Sequence, residues 1–176
     1  GNTSRTEELS LSVTDVNEAP VISTLTASDY AENQDYSTNP IFDADASDED
    51  SDSITYSLGV SKDEALLTIN SANGQVSLKA DADYETDPSY TFDVIATSNG
   101  GLSDTQEITV NITDVNDDPE LTSGASGTVI ENFPTTTAIY TATATDQDAG
   151  HADNISYSIV SNANDDSGKV SIGAST

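Results

Sequence analysis

Two stretches of this 176-residue chain carry the same polar side chains in the same order. Val13 to Ile22 reads VTDVNEAPVI, and Ile112 to Leu121 reads ITDVNDDPEL. Each places an Asp, an Asn and further acidic residues just before a proline: Asp15, Asn17 and Glu18 before Pro20, and Asp114, Asn116, Asp117 and Asp118 before Pro119. Carboxylate and amide oxygens are hard donors, and a set of them in one place suits a divalent cation. Paired carboxylates also serve glycoside hydrolysis. Here no nucleophile–base motif, phosphate loop or zinc signature accompanies them. The acidic pairs follow a repeat instead, so the expected chemistry is binding and the expected protein is not an enzyme.

The whole chain shares this bias. Asp and Glu number 32 against 4 Lys and Arg, a formal net charge of −28. Phosphate recognition needs Lys and Arg, so a nucleic-acid surface is excluded, and adhesion to anionic lipid is disfavoured. Such an excess repels itself and destabilises the compact state. Divalent cations would offset it; a high-salt habitat is the other explanation. There is no Cys, hence no disulfide and no thiolate metal site. A cysteine-free extracellular repeat points to a bacterial source. No run of 18 apolar residues is present, so no membrane span is expected. The opening GNTSRTEELS has no signal-peptide pattern, and any export signal or anchor is expected outside this chain.

The elements that must position these oxygens repeat as well. Asp15, Val16 and Asn17 return as Asp114, Val115 and Asn116, a period of 99. Glu32-Asn33 returns as Glu131-Asn132 at the same offset, and Ala46–Asp50 (ASDED) as Ala144–Asp148 (ATDQD) at 98. ITYSL (54–58) returns as ISYSI (155–159), and NGQVSL (73–78) as SGKVSI (167–172). A period this long means tandem domains rather than a solenoid. Within the unit, Ile108, Val110 and Ile112 alternate with polar residues, as do Tyr90, Phe92, Val94 and Ala96. That is the period of a half-buried strand. Asn73-Gly74, Asp87-Pro88 and Asn99-Gly100-Gly101 supply turns, and no window shows a helical stripe. About seven short strands in about 100 residues predict an all-β, immunoglobulin-like sandwich. Residues 1–19 match the last strand and exit of one repeat, 20–119 a complete repeat, and 120–176 the first part of a third. One sandwich is therefore expected complete and two partial, with the partial ones exposing core and an open edge.

Five elements in this order resemble a cadherin repeat of the kind found in large bacterial RTX-type surface adhesins. They are the EN of AENQD, the DxD of SDED, the NGQV turn, the DYE of ADYET and the DVNDDP linker. The resemblance implies tandem Greek-key sandwiches with Ca2+ at the linkers. At the second linker it implies a ligand set of Glu32, Asp83, Glu85, Asp114, Asn116, Asp117, Asp146 and Asp148. The carbonyls of Val115 and Asp118, and one near Asp153 or Asn154, would complete it. At the first linker it implies Asp15, Asn17, Asp48 and Asp50, with Glu18 beside them. The family's Asp near the end of the repeat is Ser98 here, which removes one carboxylate and weakens the first site. The implied role is a calcium-rigidified extender of a secreted, surface-displayed adhesin, its partners being calcium and the neighbouring repeats. The alternative is a ligand-binding module, in which the repeat itself, or a domain inserted into the split repeat, grips a peptide, a glycan or a cadherin-like partner.

Other polar residues are read as incidental. Asp43, Asp45, Asp52 and Asp81 are expected on the surface, and the single His151 in a polar loop. Tyr56 and Tyr157 hold equivalent strand positions and are expected in the core. Asn111-Ile112-Thr113 and Asn154-Ile155-Ser156 match a glycosylation sequon but stay bare in a bacterial protein.

Overall fold

The computed structural model describes residues 1, 4–24, 26–60, 62–124, 126–148, 154–160 and 169–173. It forms two compact units, Gly1–Asp114 and Val115–Thr176. His151, Asp153 and the Ser167-Gly168 turn lie outside the described residues.

Unit 1 is built from nine strands: β1 (Val21–Ile22), β2 (Tyr30–Ala31), β3 (Phe42–Asp43), β4 (Ala46–Ser47), β5 (Ile54–Leu58), β6 (Leu67–Ile69), β7 (Gln75–Leu78), β8 (Ser89–Ser98) and β9 (Ser103–Thr113). One 3₁₀ turn, Asp63–Leu66, precedes β6. A four-stranded sheet runs β2-β9-β8-β5 and a three-stranded sheet runs β3-β7-β6, while β1 pairs with β4. All pairs are antiparallel except β2 with β9, where Tyr30 meets Ile112 and Ala31 meets Thr113. The alternation predicted for β8 and β9 is the alternation found. Tyr90, Phe92, Val94 and Ala96 point inward from β8, and Ile108, Val110 and Ile112 from β9. They meet Phe42, Leu67, Val76 and Leu78 of the second sheet. Phe42 and Phe92 join the two sheets edge to face at 6.0 Å, the geometry that aromatic quadrupoles favour. Tyr56 is buried in this core as expected, and its hydroxyl accepts the Ala46 N–H.

Turn chemistry sets the register. At Gly74, φ is +76° and an added Cβ would lie 2.5 Å from the Ala44 carbonyl oxygen, so the β6–β7 turn admits only glycine. On the outer face Asp93 and Glu107 sit directly opposite each other across β8 and β9. Such a like-charge pair is unfavourable. Lys62 bonds both carboxylates and turns the clash into an ion-pair triad.

Unit 2 carries β10 (Glu120–Leu121) paired with β11 (Ala144–Thr145). This repeats β1 with β4: Val21 meets Ser47 and Ile22 meets Ala46, while Glu120 meets Thr145 and Leu121 meets Ala144. Asn33 and Asn132 adopt the same left-handed conformation, φ 60° and 59°. The strand expected at Ile155–Ile159 does not form, and Tyr157 is only half-buried rather than core. The reason is pairing: β5 is held along its length by β8, and a strand without a hydrogen-bonded neighbour has no stability of its own. Among the described residues no strand pairs with 155–159. The described part of residues 1–19 likewise carries no strand, and Leu9, Leu11 and Val13 lie open to solvent.

Candidate metal centre

Three carboxylates converge at one end of unit 1. Glu32 follows β2, and its N–H donates to the Thr113 carbonyl at 3.2 Å. The left-handed Asn33 then turns the chain, and its N–H reaches the Ala82 carbonyl at 3.1 Å. Together these bonds tie the EN element to the DYE element. Glu32 is 1% exposed, and one of its carboxylate oxygens accepts the Tyr84 N–H at 2.6 Å. Asp83 begins a tight loop in which its two carboxylate oxygens accept the Thr86 N–H (3.1 Å) and hydroxyl (2.9 Å). Glu85 is half-buried beside them. Carboxylate oxygens of Glu32, Asp83 and Glu85 all lie within 4.8 Å of one another. A bound cation would offset the repulsion among like charges at this spacing.

A second cluster forms around the acidic loop after β4. Asp48 Oδ1 accepts the N–H groups of Asp50 (3.0 Å) and Asp52 (3.3 Å), an Asx-type turn that passes through the left-handed Ser51. Asp50 Oδ2 in turn accepts the Glu18 N–H at 3.0 Å, and the Asn17 side chain donates to the Glu18 carbonyl at 3.2 Å. The Asn17 side-chain amide packs against Gly100 of the β8–β9 turn, where an added Cβ would lie 2.6 Å from Nδ2 and would make that side chain shift. Asp48 Oδ2 is buried with no hydrogen-bond partner. The Glu18 carboxyl is held above its ordinary range, first by desolvation and then by the charges of Asp50, Glu49 and Asp15. Ser98 is buried, its hydroxyl donating to the Leu102 carbonyl.

Unit 2 repeats three of these bonds. The Asp148 N–H donates to Asp146 Oδ1 (3.1 Å), the Asp117 N–H to Asp148 Oδ2 (2.7 Å), and the Asn116 side chain to the Asp117 carbonyl (2.9 Å). Asp148 is 2% exposed, and its Oδ1 is buried without a hydrogen-bond partner. The ligand atoms these clusters offer are oxygens, and buried carboxylate oxygens of Asp48 and Asp148 have no hydrogen-bond partner. Those donors fit a hard divalent cation such as Ca2+.

The sequence-derived set therefore gathers as Glu32, Asp83 and Glu85, as Asn17, Asp48 and Asp50, and as Asn116, Asp117, Asp146 and Asp148. Asp15, Asp114, Val115, Asp118 and Asn154 are exposed. Asp43, Asp45 and Asp81 are on the surface as expected, whereas Asp52 is half-buried. Its N–H caps Asp48, a role signalled by the close spacing of acidic residues in an Asx turn. The backbone donors that pre-set each carboxylate are the part that residue types did not reveal.

Residues 27–113 match the sequence model of the cadherin domain. The chain is 32% identical over 125 residues to the protocadherin-like wing polarity protein stan of Drosophila melanogaster, covering 68% of this chain and 4% of that protein. It is 33% identical over 146 residues to Cadherin-5 of Danio rerio, covering 80% of this chain and 19% of that protein. Among solved structures, Drosophila N-cadherin EC1-4 superposes with a TM-score of 0.56 at 27% identity, covering 77% of this chain and 35% of the other. The chain thus spans a small part of the relatives it matches.

Proposed function

We propose, from the premise that the chain belongs to the cadherin domain family through residues 27–113, that it is a calcium-stiffened spacer of an extracellular adhesion protein. Cadherin domains are non-enzymatic, extracellular adhesion modules that typically bind Ca2+. The observation that carries the reading here is the trio of Glu32, Asp83 and Glu85 around a buried carboxylate. In this reading Glu32, Asp83, Glu85 and Asp114 hold calcium jointly with Asn116, Asp117, Asp146 and Asp148, and with the carbonyls of Val115, Asp118 and Asn154. Asp15, Asn17, Asp48 and Asp50 hold it at the first linker. Residues 1–19, 20–119 and 120–176 belong to three successive repeats, and the ions cross-link segments that would otherwise move independently. The missing cysteines and the net charge of −28 support a secreted bacterial adhesin of the RTX type as the parent. Neighbouring repeats of the same chain are the direct partners.

The test is a melting curve and small-angle scattering at fixed ionic strength, with millimolar calcium, with magnesium, and with chelator. Calcium is expected to raise the melting temperature and to lengthen and stiffen the particle, and magnesium to do much less. No change of either kind with calcium would reduce the clusters to surface charge.

A further inference from the structure

The chain contains two Asn-Gly steps, Asn73-Gly74 and Asn99-Gly100. Such a step is open to attack by its own backbone. The glycine nitrogen can reach the side-chain amide carbon of the Asn, because no Cβ blocks the approach. The attack needs a glycine N–H that is not already engaged, and an Asn side chain free to turn.

The fold treats the two steps differently. Gly74 is buried, and its N–H donates to the Asn70 carbonyl at 2.9 Å. The Asn73 side chain is tied as well: Oδ1 accepts the Gln75 N–H at 3.3 Å, and Nδ2 donates to Gln75 Oε1 at 3.0 Å. Asn99 and Gly100 are both exposed. Among the described residues, neither the Gly100 N–H nor the Asn99 side chain has a hydrogen-bond partner. Only the flanks of this turn are fixed. The Asn99 N–H donates to the Ser53 carbonyl at 3.0 Å, and the Gly101 N–H to the Ser98 carbonyl at 2.9 Å.

We propose that Asn99 is a site of spontaneous deamidation whose products loosen the junction between the β8–β9 turn and the first linker. The Gly100 nitrogen loses its proton and bonds to the Asn99 side-chain carbon. The bond from that carbon to the amide nitrogen breaks, ammonia leaves, and a cyclic imide remains. Water then opens the ring at either carbonyl. One product is an ordinary aspartate at position 99. The other is isoaspartate, whose main chain runs through the side-chain carbon and is longer by a methylene. Both carry a new carboxylate. It arises beside the acidic cluster, since Asn99 holds Ser53, just after the Asp48–Asp52 loop, and Gly100 packs against Asn17, next to Glu18. A further negative charge there adds to the repulsion, and the longer backbone moves Gly100 off Asn17.

Peptide mapping by mass spectrometry tests it, on the full chain aged at neutral pH. Chelator is present throughout, so the outcome is separate from that of calcium binding. Asn99 is expected to convert about tenfold faster than Asn73, where the Gly74 hydrogen bond must break before attack. In denaturant the two steps are expected to convert at similar rates. Conversion of Asn73 in the folded chain as fast as that of Asn99 would overturn the proposal. So would a preference for Asn99 that persists unchanged in denaturant. Melting in chelator reads the consequence. Aged wild type is expected to melt below fresh protein, whereas Asn99→Gln, whose longer side chain closes that ring poorly, should melt alike before and after ageing. An unchanged wild type, or an equal fall in the variant, would contradict the loosened junction.

Discussion

Glu32 and Glu131 occupy the same place in two repeats, each followed by an asparagine in the same left-handed conformation. One is buried and the other exposed. The local turn is thus written in the EN dipeptide, whereas the burial is not. It comes from the Asp83–Glu85 loop, some 50 residues on, whose Tyr84 N–H bonds the Glu32 carboxylate. The Asp-x-Asp cradles show the opposite. Asp48 with Asp50 and Asp146 with Asp148 share the bond inside the loop and the bond from the linker 32 and 31 residues upstream. A cradle made within the first half of the repeat recurs wherever that half recurs. One made across the sheet exists only where the whole sandwich closes.

The contrast can be broken or sharpened in several places. The largest effect is expected from Phe92→Ala, which opens a cavity where the two sheets of unit 1 meet. A loss of about 4 kcal/mol in unit 1 is expected, with no loss in the β10–β11 pair, read by site-resolved hydrogen exchange. Equal loss in both units would mean that they do not fold separately. Next is calcium. At calcium about 100-fold above the dissociation constant, one site adds roughly 2.7 kcal/mol, or about 10 °C in melting temperature for a domain of this size. Glu32→Gln keeps the acceptor for Tyr84 but removes the charge, and most of that gain should vanish. Glu131→Gln should leave it untouched. Equal effects would deny the difference in burial its meaning.

Asp48→Asn and Asp146→Asn probe the recurring cradle. Each keeps an oxygen for the backbone N–H but weakens cation binding, and the two variants should lose calcium affinity to a similar degree. Titrations followed by melting temperature would reveal an inequality. Lys62→Met, on the outer face of the β8–β9 pair, should lower stability slightly and by the same amount whether or not calcium is present. The smallest effect concerns pH. The Glu18 carboxyl is held above its ordinary value of 4.5, so the folded state binds its proton more tightly than the unfolded chain does. Stability in chelator should therefore rise as the pH falls through the window just above 4.5, and the rise should be smaller in Glu18→Gln.

Much of unit 1 was legible in the residues because it alternates. β8 and β9 show their buried faces in every second side chain, and Asn73-Gly74 marks its turn by a conformation only glycine accepts. The same alternation at Ile155–Ile159 misled, since pattern records a capacity to pair and not the presence of a partner. The acidic ligand types were also visible. Their preparation by backbone donors, as at Tyr84, Thr86 and Asp52, was not, because main-chain N–H groups leave no mark in composition.

The most direct measurement is isothermal titration of the calcium-stripped chain with Ca2+, alongside Glu32→Gln. Saturable binding at about 0.1–1 mM is expected for wild type, the range of extracellular calcium modules, with a clear loss of affinity or of sites in the variant. Binding that is absent, or identical in the two proteins, would contradict a calcium centre built on Glu32, Asp83 and Glu85.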